Sequence, residues 1–116
     1  MILSETVELM NSTDYKERFR AEYLQLVIRY HGLSQMLRKW DNGTLKFEPT
    51  CPRSTYNMQI NAMTNYLAVL EARAVMEGVD LSKDIEDFIA DERKLSKEER
   101  QELDRLLSLS VELKEK

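Results

Sequence analysis

Catalysis in this chain would have to rest on one histidine, one cysteine and scattered carboxylates. His31 is the only histidine and Cys51 the only cysteine. A hydrolytic triad needs a nucleophile, a base and a group that orients the base. His31 directly follows Tyr30 and falls on the flank of a helical stretch, where a lone histidine is structural or solvated. Cys51 lies in a connection with no second histidine and no CxxC pair, so a Cys/His metal centre has no ligand set. Glu98 with Glu99, and Glu86 with Asp87, read as solvated helix surface. Glu71 is nearer to Arg73 and Glu77, but Glu71 and Arg73 are two apart and do not share a helix face. No H-E-x-x-H, Walker loop or dinucleotide fingerprint occurs. These residues predict no catalytic centre, no metal and no cofactor: the protein binds and is not an enzyme.

Charge bears on what it binds. The net charge is -4. From Asp14 to Trp40 there are six basic and three acidic side chains; from Asp80 to Lys116 there are eight basic and twelve acidic. The basic residues of the first segment are Lys16, Arg18, Arg20, Arg29, Arg38 and Lys39. Non-specific nucleic-acid binding requires several phosphate neutralisations, and helix-turn-helix readers use short helices joined by tight turns. Long helices and an acidic balance disfavour that reading. A small anion is a different matter, because arginines and tyrosines meeting between helices can pair with a phosphate and stack on a base. The candidates are Tyr23, Arg29, Tyr30, Tyr66 and Arg73, set against the plainer reading that the tyrosines pack in a core with the hydroxyl at its edge.

The elements that would position these residues are helical. The fold class expected is all-α: a long antiparallel, coiled-coil-like two-helix hairpin followed by two shorter helices, forming a small bundle. Residues 1–11 read as a short arm or turn, docked by Ile2, Leu3, Val7 and Met10. Residues 12–79 form the hairpin, and residues 80–116 two short helices packing on the hairpin or on a partner. Ser12 or Thr13 can cap the first long helix. Its stripe is Tyr15, Phe19, Tyr23, Leu26, Tyr30, Leu33, Leu37 and Trp40, widened by Val27, Ile28 and Met36. Asp41-Asn42-Gly43 stops it. Leu45 and Phe47 are expected to tuck against the hairpin end, and Pro52 or Ser54 opens the second helix. That helix has the stripe Tyr56, Ile60, Met63, Leu67, Leu70 and Ala74 and ends at Gly78. Ser82 can cap a third helix with Ile85, Phe88 and Ile89 on its apolar face. Ser96 and Glu99 form a capping box before Leu103, Leu106, Leu107 and Leu113. The amino terminus lacks a signal-peptide pattern and no apolar run reaches the ~20 residues of a bilayer span, so a cytoplasmic protein without a membrane partner is expected.

One stretch breaks the pattern of an exposed helix. From Ser54 to Leu70, seventeen residues pass without a charged side chain. A solvated helix face normally carries Lys, Glu or Arg. Amides on a low-charge helix suit a desolvated contact better than carboxylates do. The face should therefore be covered by the carboxy-terminal helices, by another copy of the chain, or by a different protein. Asn57, Met58, Asn61, Thr64 and Asn65 are the expected interface residues.

The segments Arg20-Ala21-Glu22-Tyr23-Leu24-Gln25-Leu26, Gln59, Ala62-Met63, Tyr66 and Leu70-Glu71-Ala72-Arg73 resemble small helical-hairpin proteins of bacterial phages and prophages, including crAss-like phages. The resemblance covers Asp14 to Val79 and carries no catalytic residues. It implies an accessory protein in the host cytoplasm that acts by stoichiometric binding of a host or phage protein, with inhibition of an antiviral defence system as the suggested role. Two alternatives stand beside it: an oligomeric sponge for a nucleotide signal, and a structural or morphogenetic phage protein.

Overall fold

The computed structural model describes residues 1–91, and every regular element among them is helical. The chain divides into two compact units, Met1–Leu81 and Ser82–Lys116. The first contains a 3-10 turn at Leu3–Thr6, then α1 (Val7–Met10), α2 (Tyr15–Asp41) and α3 (Arg53–Glu77). In the second, residues 82–91 are helical (α4), so Ser82 is the first helical residue and not the residue before it. The helix expected after Ser96 lies outside the described residues. No helix among those described is long and apolar enough to cross a membrane.

Each long helix is bounded by identifiable chemistry. Asp14, not Ser12 or Thr13, is the N-cap of α2: its carboxylate accepts from the Lys16 amide at 3.0 Å. Ser12 instead accepts from the Asp14 amide at 3.0 Å and fixes the approach. Arg38 and Lys39 sit in the last turn, facing the negative end of the helix dipole. Gly43 then takes a φ of 76°, the left-handed region. Pro52 precedes α3, and Gly78 ends it at a φ of 72°. The Val79 amide donates back to the Ala74 carbonyl at 2.8 Å, and Lys16 Nζ donates to the Gly78 carbonyl at 3.2 Å. The start of α2 thus closes the end of α3.

α2 and α3 are antiparallel. The core sits at their open end: Phe19, Tyr23, Leu70, Ala74, Val79 and Leu81 are buried together, with Leu26, Val27 and Leu67 packed against them. At the loop end, Trp40 meets Tyr56 edge-on at 6.0 Å. The Arg53 guanidinium lies 5.3 Å from the Trp40 ring centre and donates to both Asp41 oxygens, at 2.6 and 3.1 Å. Phe47 does not tuck in; it is 60% exposed, and the aromatic closure falls to Tyr56.

The arm docks differently from its apolar pattern. Ile2, Leu3, Val7 and Met10 are exposed, while Thr6 is buried. Thr6 Oγ1 donates to the Leu3 carbonyl at 2.7 Å and accepts from Gln25 Nε2 at 3.1 Å. With both hydrogen bonds made, the hydroxyl can be buried without a desolvation penalty. Polar pairing, more than the four apolar side chains, seats the arm on α2.

Leu70 is among the most buried side chains and Val75 is open. Leu70→Ala should cost about 2–5 kcal/mol in urea unfolding, and Val75→Ala should stay within about 0.5 kcal/mol. Equal effects at the two positions would place the core elsewhere.

Candidate functional site

α3 presents two faces of different character. Its inner stripe is covered: Leu70 and Ala74 are buried, and Tyr56, Ile60, Met63 and Leu67 are half-buried. Its outer face is open. Asn57, Met58, Asn61, Thr64 and Asn65 are all exposed, and so are Val69, Val75 and Met76 farther along. Two of the five make local bonds: Asn57 Oδ1 accepts from Arg53 Nε at 3.1 Å, and Thr64 Oγ1 donates to the Ile60 carbonyl at 2.9 Å. Asn61 and Asn65 hold their amides toward solvent with no partner among the described residues. Within the first unit, nothing packs over this face.

The second group of residues gathers beside the core. Tyr23 is buried, and its hydroxyl donates to Glu71 at 2.8 Å. The Tyr66 hydroxyl donates to Glu22. Arg73 Nε donates to Glu77 at 2.9 Å and its Nη2 to the Tyr15 hydroxyl at 2.8 Å, while Tyr15 donates to the other Glu77 oxygen at 2.6 Å. The Arg73 guanidinium lies 5.1 Å from the centre of the Phe19 ring. Tyr23, Tyr66 and Arg73 are therefore brought to one end of the hairpin. Arg29 is exposed and Tyr30 half-buried farther along α2; neither joins the group.

Tyr15, Glu22 and Glu77 complete this cluster; in the sequence Tyr15 stands only in the helix stripe and Glu77 only as a neighbour of Glu71, and none of the three is a binding candidate there. Once the turn is placed between Asp41 and Arg53, antiparallel pairing brings Tyr15 to the end of α3, so the signal lay in the register. The hydrogen bond from Tyr15, followed by Arg73, holds the Glu77 carboxyl below its usual range. Its bond to Glu77 raises the Tyr15 hydroxyl, and the bond to Glu22 raises that of Tyr66. Tyr23 is pushed up by burial first and by Glu71 second. Each tyrosine keeps its proton and serves as a donor. The tyrosine hydroxyls are committed to Glu22, Glu71 and Glu77, so what the arrangement presents outward is an arginine and aromatic faces, groups that can pair with an anion and stack on a ring.

Among the described residues, no three His, Cys, Asp or Glu side chains converge on a metal-sized point. An open depression of about 370 Å³ lies at the hairpin loop, lined by Trp40, Leu45, Lys46 and Phe47 among others. It is wide open to solvent, and its lining mixes apolar residues with Lys46 and Glu48.

The model of the Sequestin family matches residues 13–76, more than half of the chain, and the chain belongs to that family. The match spans all of α2, α3 as far as Met76, the outer face of α3 and the tyrosines and arginine of the cluster, with Glu77 just beyond it. No curated protein and no solved structure matches the chain.

The clamps at the two ends of the hairpin make its stability depend on pH. Asp41, through its hydrogen bonds from Arg53, and Glu77 are both held below their ordinary values of 3.8 and 4.5. A depressed carboxylate stabilises the fold above its unfolded value, and that contribution is lost as pH falls through the folded value. Melting temperature should therefore drop below about pH 4, with a shallower fall in Asp41→Asn/Glu77→Gln. An unchanged acid limb in that double variant would show that other groups set it.

Proposed function

We propose that this Sequestin acts by sequestration, holding a small anionic, nucleotide-like ligand in stoichiometric amount at sites completed where chains associate. The observation that carries this reading is Arg73, held beside Tyr15 and Tyr66 at the margin of an open, uncharged helix face. A guanidinium pairs with phosphate oxygens in fork geometry, and exposed aromatic rings stack on bases. Nη1 of Arg73 has no partner among the described residues and is the edge a phosphate would meet first. One chain offers only open surface here, whereas small-ligand sites enclose most of their ligand; association of chains supplies the missing wall. The family name agrees with retention in place of turnover. In this reading the protein is a phage or prophage accessory factor in the bacterial cytoplasm, withdrawing a nucleotide signal from an antiviral defence system.

The open amide face itself favours a second reading, capture of a host or phage protein through Asn57, Met58, Asn61, Thr64 and Asn65. Amides and a methionine form the kind of low-charge patch that the centre of a protein interface uses.

Calorimetry and thermal shift against a panel of mononucleotides and cyclic nucleotides separate the two. Under sequestration, a ligand present at 100 times its Kd stabilises the fold by about 2.7 kcal/mol. Arg73→Ala should weaken binding by about tenfold or more, the loss of one charge-assisted pair. Glu77→Gln should tighten it, because the carboxylate competes with phosphate for the guanidinium. No shift with any nucleotide, together with a captured protein lost in Asn61→Ala/Asn65→Ala, would replace the first reading by the second.

A further inference from the structure

The outer face of α3 contains a second heptad stripe, separate from the one that faces α2. Met58, Ala62, Asn65, Val69, Ala72 and Met76 follow in steps of four, three, four, three and four, the spacing of a coiled-coil seam. All six are exposed, with Met58 at 73%, Val69 at 56% and Met76 at 82%. The stripe also reads nearly the same in both directions. Met58 and Met76, Ala62 and Ala72, and Asn65 and Val69 are each placed symmetrically about Leu67.

A helix face symmetric about its midpoint is self-complementary under a two-fold axis perpendicular to the helix. We propose that the occupant of this face is a second copy of the same chain, packed α3 against α3 in antiparallel orientation about an axis at the level of Leu67. Met58 then meets the second copy's Met76, Ala62 its Ala72, and Asn65 its Val69. The alanines let the helices approach to the short end of the usual 8–10 Å separation, with methionines filling the ends. The contact runs over about 27 Å of helix.

Charge selects this orientation. Within α3, the charged residues beyond the neutral stretch are Glu71, Arg73 and Glu77 on one side of it and Arg53 on the other. Antiparallel pairing sets the first three at the levels of Met63, Asn61 and Asn57 of the second copy, so no like charges meet. Parallel pairing would set Arg73, about 60° from the centre of the stripe, and Glu77, about 100° from it, each toward its own copy, a repulsive arrangement; Glu71 turns away from the seam, toward Tyr23 of α2. The charge-free run from Ser54 to Leu70 is what an antiparallel self-pair of this length requires.

The inference rests on the association invoked for ligand retention but is measured without a ligand. Sedimentation of the full chain at micromolar concentration should give twice the 13.7 kDa chain mass or an even multiple of it. Ala62→Glu and Ala72→Lys alone should each weaken association by about tenfold or more, the cost of desolvating an unpaired charge, with helicity by circular dichroism unchanged. Both substitutions in one chain should restore association, since each glutamate then faces a lysine of the second copy. Mixing the two single variants should restore it in part. A chain that sediments at 13.7 kDa, single variants that associate as well as the parent, or a double variant no better than the singles would each overturn the proposal. A dimer that passes these tests but binds no nucleotide would leave the interface standing and remove the sequestration reading.

Discussion

Phe19 and Tyr23 closing on Leu70 and Ala74 is the contact on which the arrangement of α2 and α3 depends. It lies at the open end of the hairpin, where the chain has no covalent turn to hold the helices together. Burial there supplies most of the driving force. The tyrosine–carboxylate bonds around it, Tyr23 to Glu71 and Tyr66 to Glu22, fix the rotation of each helix about its axis. The Asp41–Arg53–Trp40 clamp does the same at the loop end. With both ends set, the intervening turns of α3 have one orientation, and Met58, Asn61 and Asn65 must point outward.

α2 and α3 are not equivalent partners. α2 is covered on two sides: Phe19 and Tyr23 face α3, while Ala21 and Leu24 are also buried, on roughly the opposite side of the helix at 3.6 residues per turn. The arm packs on α2 as well. Among the described residues α3 is covered along one stripe only, yet it is the helix with the charge-free run from Ser54 to Leu70. The usual rule places the uncharged helix in the middle of a bundle and the charged one at its edge. Among the described residues the order is reversed, which is the property the proposed self-association accounts for.

The helices, their stops and the stripe that faces the core were legible because a 3.6-residue period and glycine stops are local signals. The positions of Gly43 and Gly78 follow from them. The arm was not legible: Ile2, Leu3, Val7 and Met10 suggested an apolar anchor, whereas Thr6 is buried because two hydrogen bonds, one of them from Gln25, satisfy it. That pairing is long-range and leaves no periodic trace. The same limit applies to the cluster. Tyr23, Tyr66 and Arg73 stood out as residue types, but Tyr15, Glu22 and Glu77 join them through helix register. Arg29 and Tyr30 looked equivalent in type and lie elsewhere on α2 for the same reason.

The two readings of α3, as an association face and as the border of an anion site, are geometrically compatible. Tyr66 lies next to Leu67, close to the proposed two-fold axis, and about 80° around the helix from the centre of the outer stripe. In an antiparallel self-pair, the axis runs perpendicular to the line joining the helices, so matching flanks of the two copies lie on the same side. Both Tyr66 side chains therefore fall on one side of the seam near its middle, with the two Arg73 side chains set symmetrically beyond them. A ligand reaching from Arg73 toward the axis would meet that guanidinium and the aromatic faces near the middle of the seam. Each chain alone leaves Arg73 mostly neutralised by Glu77. In this pairing Arg73 lies twelve residue levels from its second copy, about 18 Å of helix, so each arginine serves its own anion and the self-pair makes two equivalent sites.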